Sequence, residues 1–227
     1  MRNQTAIDLE YFLPNYENHI AIVANGQFPE KAEIISLLRK SRAIIACDGA
    51  IHNLTKSKII ADYVIGDGDS ANEISDKIVK NPYIYIADQN SNDLTKAFNH
   101  ACDNFPESTI IIFAANGLRE DHSIANFGLL FEFGRKHDSI AMVSDYGIFN
   151  ICQSGISIFN VVAGQQISLF SLKSTTQISC PELKWPLANF CFKHLYSGTL
   201  NQASGNQITI DTTDNVILYR AYEIKIS

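Results

Sequence analysis

Three apolar runs of this 227-residue chain each end on an aspartate: Ala43-Ile44-Ile45-Ala46-Cys47-Asp48, Tyr63-Val64-Ile65-Gly66-Asp67 and Tyr83-Ile84-Tyr85-Ile86-Ala87-Asp88. If the runs are neighbouring strands, their carboxylates stand roughly 5 Å apart and raise each other's pKa unless a cation compensates. Such a set suits a divalent metal and, through it, a phosphorylated substrate. Asp67 and Asp69, two residues apart in an extended or turning backbone, can point to one side and hold Mg²⁺, leaving its other positions to water and phosphate. The same segment, Gly66-Asp67-Gly68-Asp69-Ser70-Ala71, formally fits the G-x-G-x-x-A dinucleotide fingerprint. That fingerprint cradles pyrophosphate in backbone N–H groups, and two aspartates there oppose it, so a metal-bridged phosphate is the better reading. The bland alternative is an Asp-Gly turn with solvated acids.

Two further segments add to this set. Asp88-Gln89-Asn90-Ser91-Asn92-Asp93-Leu94-Thr95-Lys96 runs from a strand into a helix, with Asn92 or Asp93 as its N-cap. Lys96 sits near the positive end of the helix dipole, where a cation is disfavoured unless an anion lies close by. The helix start and this lysine together make a phosphate seat. Asn116-Gly117-Leu118-Arg119-Glu120-Asp121-His122 follows another strand. There Gly117 permits close backbone approach, Arg119 can fork onto carboxylate or phosphate, Asp121 stands where a helix cap is expected, and His122 can bind ligand or metal. No Walker A sequence, Ser-His-Asp arrangement or nucleophile elbow is present, so covalent catalysis has no candidate.

These residues need a scaffold that brings strand ends together. Residues 20–24, 43–47, 63–65, 83–87, 109–114 and 139–143 are short and almost continuously apolar, the pattern of strands buried on both faces. Helical stretches at 30–41, 50–56, 93–104 and 121–137 alternate with them. Leu94, Ala97, Phe98, Ala101 and Cys102 follow helical spacing along one stripe. The sum is a doubly wound, mostly parallel, Rossmann-like α/β sheet, whose ligands bind outside the carboxyl ends of the strands where strand order reverses. After about residue 150 the helical period gives way to β-type runs at 156–162, 167–172, 177–180, 190–194, 207–210 and 216–224, the spacing of a small all-β sandwich. The expected domains are 1–150 and 151–227, with the run 148–152 open to either.

Composition narrows the partners. A net charge of −6 argues against a nonspecific nucleic-acid or anionic-membrane surface. The polar start and the short first apolar run match neither a signal peptide nor a membrane span, so the expected compartment is cytoplasmic. Five cysteines without a Cys-x-x-Cys pair fit neither a disulfide framework nor a zinc site. Cys47 and Cys102, within apolar patterns, are expected as buried thiols.

Taken in order, these segments resemble the thiamin pyrophosphokinase family. Asp48 and Gly49 match its Asp-Gly-Gly-Ala-Asn segment; Gly66, Asp67, Asp69 and Ser70 its Gly-Asp-x-Asp-Ser; Asp88, Gln89, Asp93 and Lys96 its Asp-Gln-Asp-x-x-Asp-x-x-Lys. Gly117, Arg119, Asp121 and His122 match its Gly-Gly-Arg-x-Asp-His. Further on, Leu183-Lys184-Trp185-Pro186-Leu187 is similar to its Leu-Lys-Trp/Tyr-x-Leu, and Gly198-Thr199-Leu200-Asn201 to its Gly-x-Ser-Asn.

The resemblance implies an α/β catalytic domain binding ATP and Mg²⁺, a β-sandwich domain binding thiamin, and a homodimer with sites at the subunit interface. It implies pyrophosphate transfer from ATP to the thiamin hydroxyl, giving thiamin diphosphate and AMP. On this reading Asp67, Asp69 and Asp88 organise the metal, and Asp93 orients the attacking hydroxyl and takes its proton. Lys96 and Arg119 neutralise phosphate oxygens, while Asp48, Gly49, Gln89, Thr95, Asp121 and His122 frame the nucleotide. Trp185 stacks on the cationic thiamin rings, with Gly198 and Asn201 beside it; a partly buried sandwich anchor is its alternative role. The chain departs from the pattern at Ala50, His52, Gly68, Asn90, Leu118 and Leu200. Asn90 removes one possible metal ligand, whereas Gly68 and Leu200 bear on substrate identity. The rival readings are a related diphosphokinase for another small alcohol such as a pterin, a noncatalytic nucleotide or thiamin diphosphate sensor, and a metal-dependent phosphate hydrolase.

Overall fold

The computed structural model describes residues 8–13, 16–68, 79–88 and 90–224. In chain order it runs α1 (Leu9–Phe12), β1 (Ile20–Val23), α2 (Ala32–Arg39), β2 (Ala43–Cys47), α3 (Ile51–Lys56), β3 (Tyr63–Gly66), β4 (Ile84–Tyr85), α4 (Asp93–Asn104), β5 (Ile110–Phe113), α5 (Glu120–Phe133) and β6 (Ile140–Val143). Strands only follow: β7 (Gly147–Cys152), β8 (Gly155–Asn160), β9 (Gln165–Phe170), β10 (Gln177–Cys180), β11 (Leu187–Cys191), β12 (Gly198–Gln202), β13 (Gln207–Thr212) and β14 (Val216–Ile224). Residues 16–145 form one compact unit, and residues 146–224 form another together with 8–13. Among the described residues, no helix is long and apolar enough to cross a membrane.

In the first unit the strands lie in the order β6-β5-β1-β2-β3-β4, all parallel. Strand order reverses between β1 and β5, so the loops leaving these two strands flank the crevice expected of a doubly wound sheet. Every residue of β1, β2, β5 and β6 is buried, as uninterrupted apolar runs require. The run at 83–87 yields only Ile84–Tyr85 as strand. It lies at the sheet edge, where among the described residues one side has no ladder partner and Tyr85 is exposed.

Helix α4 begins at Asn92, whose side chain accepts from the Thr95 N–H at 2.9 Å and the Thr95 hydroxyl at 2.8 Å. It buries Leu94, Ala97, Phe98 and Ala101, and the Phe98 ring stacks on Phe133 of α5 with centroids 4.0 Å apart. Each such large apolar side chain contributes about 1.5–3 kcal/mol on burial. That packing holds the helix start, with Asp93 and Lys96, at a fixed height above the sheet. Cys47 is buried as expected, whereas Cys102 is only half-buried.

The second unit is a sandwich of two antiparallel sheets, β12-β9-β14-β7 and β11-β10-β13-β8. Ile167, Leu169, Val216 and Leu218 from one sheet share a core with Ile178, Cys180, Ile208 and Ile210 from the other. The run at 148–152 is β7 and pairs with β14. Arg220 on β14 is 1% exposed and donates to the carbonyls of Asn160 and Phe12 and to Asn150 Oδ1, at 2.7, 2.8 and 2.8 Å. Its guanidinium lies between the Phe12 and Phe159 rings, 5.5 and 5.3 Å from their centroids. Burial lowers its pKa to about 10, so it remains charged at neutral pH. This cation fastens α1 to the sandwich, and Tyr11 adds a bond from its hydroxyl to the Asn206 carbonyl at 2.9 Å.

Candidate active site

At the carboxyl edge of the parallel sheet, Asp48 and Asp67 come close enough to Asp93 for their charges to act on it. Burial pushes the Asp93 carboxyl above the usual carboxylate range, Lys96 pulls it back, and Asp67 and Asp48 push it further up. Asp48 is 3% exposed at the end of β2. Behind it the buried Cys47 thiol is pushed well up by desolvation and by the negative charges of Asp93 and Asp48, so it stays protonated and is no nucleophile. Tyr83 is a site residue that its apolar run did not reveal. Its hydroxyl accepts from the Gly68 N–H at 2.8 Å, and burial followed by the Asp48 charge raises its pKa.

Lys96 is 4% exposed, and its ammonium donates to Asp93 Oδ1 at 3.1 Å. An ammonium carries three donors, and Asp93 is the only acceptor for it among the described residues. A buried lysine with donors to spare beside a helix N-terminus is built to receive an anion. Gly49 lies against the loop that leaves β1: a Cβ there would stand 2.2 Å from Asn25 Nδ2. That loop is stitched to the one leaving β5, with Gly26 N donating to Ala114 O at 2.7 Å and Gln27 N to Asn116 O at 2.8 Å. Gly117, at φ +73°, could not carry a side chain, because its Cβ would meet Gln27 Cβ at 2.6 Å. Asn25, Gly26 and Gln27 thus frame the crevice. The turn-forming Asn-Gly pair after the first apolar run is the signal that could have found them.

Among the described residues, no three His, Cys, Asp or Glu side chains already stand as a metal-binding group. The donor chemistry fits Mg²⁺ nonetheless, since this ion takes hard oxygens and binds through one or two carboxylates plus substrate phosphates. Asp48, Asp67 and Asp93 offer carboxylates of that kind; Asp69 and Gln89 lie outside the described residues. Asp88 is exposed and already engaged, with Asn90 N donating to Oδ1 at 2.9 Å and Ser91 Oγ to Oδ2 at 2.5 Å. These bonds hold its carboxyl below the usual range. The Asn90 position therefore serves the turn that leads into α4.

At α5 the helix starts one residue before the expected cap: Arg119 is the N-cap, without a side-chain capping bond, and Asp121 is inside the first turn. Asp121 is drawn away by Arg119, which grips both its oxygens at 3.1 and 2.6 Å and holds its carboxyl below the usual range. Arg119, Asp121 and His122 are all exposed. Thr95 is half-buried, with its hydroxyl turned to Asn92.

The sandwich unit carries a separate cluster. Trp185 is 55% exposed, so it is not an anchor of the core, and Lys184 Nζ lies 5.2 Å from its ring centroid. Asn201 is buried and uses its amide on backbone, donating to Trp185 O at 2.7 Å and accepting from Trp185 N at 3.2 Å and Gln202 N at 2.9 Å. It fixes the segment that presents the indole. Gly198 is required by packing: a Cβ would fall 2.7 Å from Leu169 O and 2.8 Å from the Phe192 ring. Leu200 projects outward at φ +62°.

A family model described as thiamin pyrophosphokinase, catalytic domain, matches residues 34–143. A second, described as thiamin pyrophosphokinase, substrate-binding domain, matches residues 147–219. No curated protein matches the chain. Among solved structures, the thiamine pyrophosphokinase of Bacillus subtilis is similar at a TM-score of 0.75 and 20% identity, covering 90% of this chain and 99% of that one. A thiamin pyrophosphokinase family protein from Enterococcus faecalis gives 0.76 and 18%, covering 92% and 100%. The thiamin pyrophosphokinase of Candida albicans gives 0.72 and 20%, covering 94% and 91%. These structures share the fold. With both domains matched in order over most of its length, the chain belongs to the thiamin pyrophosphokinase family.

Proposed function

We propose that the protein transfers the pyrophosphoryl group of ATP to the hydroxyl of thiamin, releasing thiamin diphosphate and AMP. The observation that carries this is the buried Lys96 paired with the half-buried Asp93 at a helix start, where the charges of Asp48 and Asp67 also act on Asp93. It combines an anion seat with a carboxylate whose raised pKa suits it to take a proton. Lys96 and Arg119 hold the phosphate oxygens, with Asp48, Gly49, Gln89, Thr95, Asp121 and His122 around the nucleotide. Asp67, Asp69 and Asp88 would hold Mg²⁺, which neutralises phosphate charge when bound. Asp88 reaches that role only by giving up a bond within its own turn. Asp93 orients the thiamin hydroxyl and accepts its proton as the new P–O bond forms and the bond to AMP breaks. Positioning and charge neutralisation are most of what phosphoryl transfer asks of a protein.

Trp185 offers an exposed aromatic face to the cationic thiamin rings, an attraction of about 0.5–2 kcal/mol. Asn201 and Gly198 act through the shape of that segment. The family resemblance supports a homodimer working in the cytoplasm, and mass in solution tests the dimer. Purified protein incubated with ATP, Mg²⁺ and thiamin should form AMP and thiamin diphosphate in equal amounts. ADP or inorganic phosphate as product would refute the reading, and ligand binding without AMP would make the protein a sensor.

A further inference from the structure

The loop that leads from β5 to Arg119 at the start of α5 holds a backbone conformation that its side chains do not favour. Ala114, Gly117 and Leu118 take φ of +53°, +73° and +60°. For Ala114 and Leu118 this left-handed region costs energy, and it persists only where the surroundings over-determine it. Those surroundings are hydrogen bonds to four successive carbonyls. Phe113 O accepts from Ala24 N at 2.9 Å, Ala114 O from Gly26 N at 2.7 Å and Asn116 O from Gln27 N at 2.8 Å. Ala115 O accepts instead from the side chain of Asn126, with Nδ2 at 2.7 Å. Three donors are thus backbone groups of the segment leaving β1, and the fourth belongs to α5. Ala115 is buried, so its carbonyl depends on that amide for a partner. Three residues earlier on the same helix face, Ser123 also turns back, its hydroxyl donating to Arg119 O at 3.0 Å. Residues 115–119 are therefore pinned to α5 at both ends.

We propose that Asn126 is a positioning residue for pyrophosphoryl transfer: by holding the Ala115 carbonyl it sets the course of the 115–119 loop, and so the place from which Arg119 reaches the phosphate oxygens. The inference rests on the pyrophosphokinase reading and deepens it. Arg119 does not fix its own place, because its fork closes on Asp121 in the same first turn and the two move together with the loop. Asn126 is bonded to backbone, so its influence on the guanidinium passes through the loop alone.

The test is a double-mutant cycle on steady-state AMP formation, with Asn126→Ala, Arg119→Ala and the two combined. Asn126→Ala should raise the KM for ATP about fivefold, the loss expected for one neutral hydrogen bond and the buried carbonyl it leaves, while the KM for thiamin stays within about twofold. In the Arg119→Ala background the same substitution should change the KM for ATP by less than about twofold, because the group it positions is gone. Asn126→Asp keeps the side chain's shape and replaces the donor by an acceptor; it should reproduce the alanine result, and it carries the test if the alanine variant does not fold. A KM for ATP within about twofold of wild type would overturn the inference. So would an equal rise in both KM values, or the same change in both backgrounds. Wild type that forms no AMP from ATP and thiamin would instead sink the pyrophosphokinase reading, and this inference with it.

Discussion

Replacing Lys96 by methionine removes the one buried cation of the acidic edge among the described residues and keeps its unbranched stem. The side chain is 4% exposed, so water cannot take over its place beside a phosphate. Two unit charges about 4 Å apart interact by about 4 kcal/mol at an effective dielectric of about 20, and a hydrogen bond to a charged group contributes about 1.5–3 kcal/mol. A loss of about 3 kcal/mol lowers kcat/KM by about a hundredfold, read as AMP formation. A second readout comes from Asp93. Its folded pKa is raised from the ordinary 3.8, chiefly by burial. A carboxyl of this kind favours the fold below its unfolded pKa and loses that contribution as pH rises through the folded value. In Lys96→Met the ammonium no longer restrains the shift, while Asp67 and Asp48 still drive it. The melting temperature of the variant should therefore fall more steeply than wild type from about pH 4 toward neutrality. A kcat/KM within fivefold of wild type, or parallel melting profiles, would refute the reasoning.

Asp67→Asn and Asp69→Asn should each lower turnover more than about tenfold and raise the Mg²⁺ requirement, since each removes a hard-oxygen charge; turnover within about threefold would show that the metal is held elsewhere. Asn201→Ala should cost about 1–3 kcal/mol by leaving Trp185 and Gln202 backbone groups unpaired, and should raise the thiamin KM without touching that for ATP. Gly198→Ala should cost about 1–3 kcal/mol through overpacking against Leu169 and Phe192, lowering the melting temperature by several degrees.

The sheet was legible because β1, β2, β5 and β6 are apolar on both faces, and α4 because its stripe and its Asn92 cap both repeat locally. β12 escaped notice: Gly198 and Asn201 have little strand propensity, and the strand exists because β9 pairs with it. The run expected at 190–194 forms as Leu187–Cys191, since pairing with β10 sets its register. Nothing in residues 8–13 signals which unit they join; that depends on Arg220, more than two hundred residues away. At the acidic edge, Asp48 and Asp67 at the ends of β2 and β3 and Lys96 in the first turns of α4 were legible from spacing, whereas Asp88 lies three residues past β4 and is held in its own turn. Tyr83 was not legible, because its bond from Gly68 joins segments fifteen residues apart. Nor was the Arg119–Asp121 grip, which competes with capping and wins because two oxygens meet a planar fork.

The last strand, β14, lies between β9 and β7, and it is also the strand whose guanidinium receives the first helix. In synthesis the whole parallel sheet precedes β14, the piece that lets the sandwich close. Until then α1 has no berth, and the half-built sandwich exposes the ladders of two strands that only β14 can join. A chain cut ahead of Val216 would therefore keep every strand of the parallel sheet while leaving β7 and β9 with open, adhesive ladders.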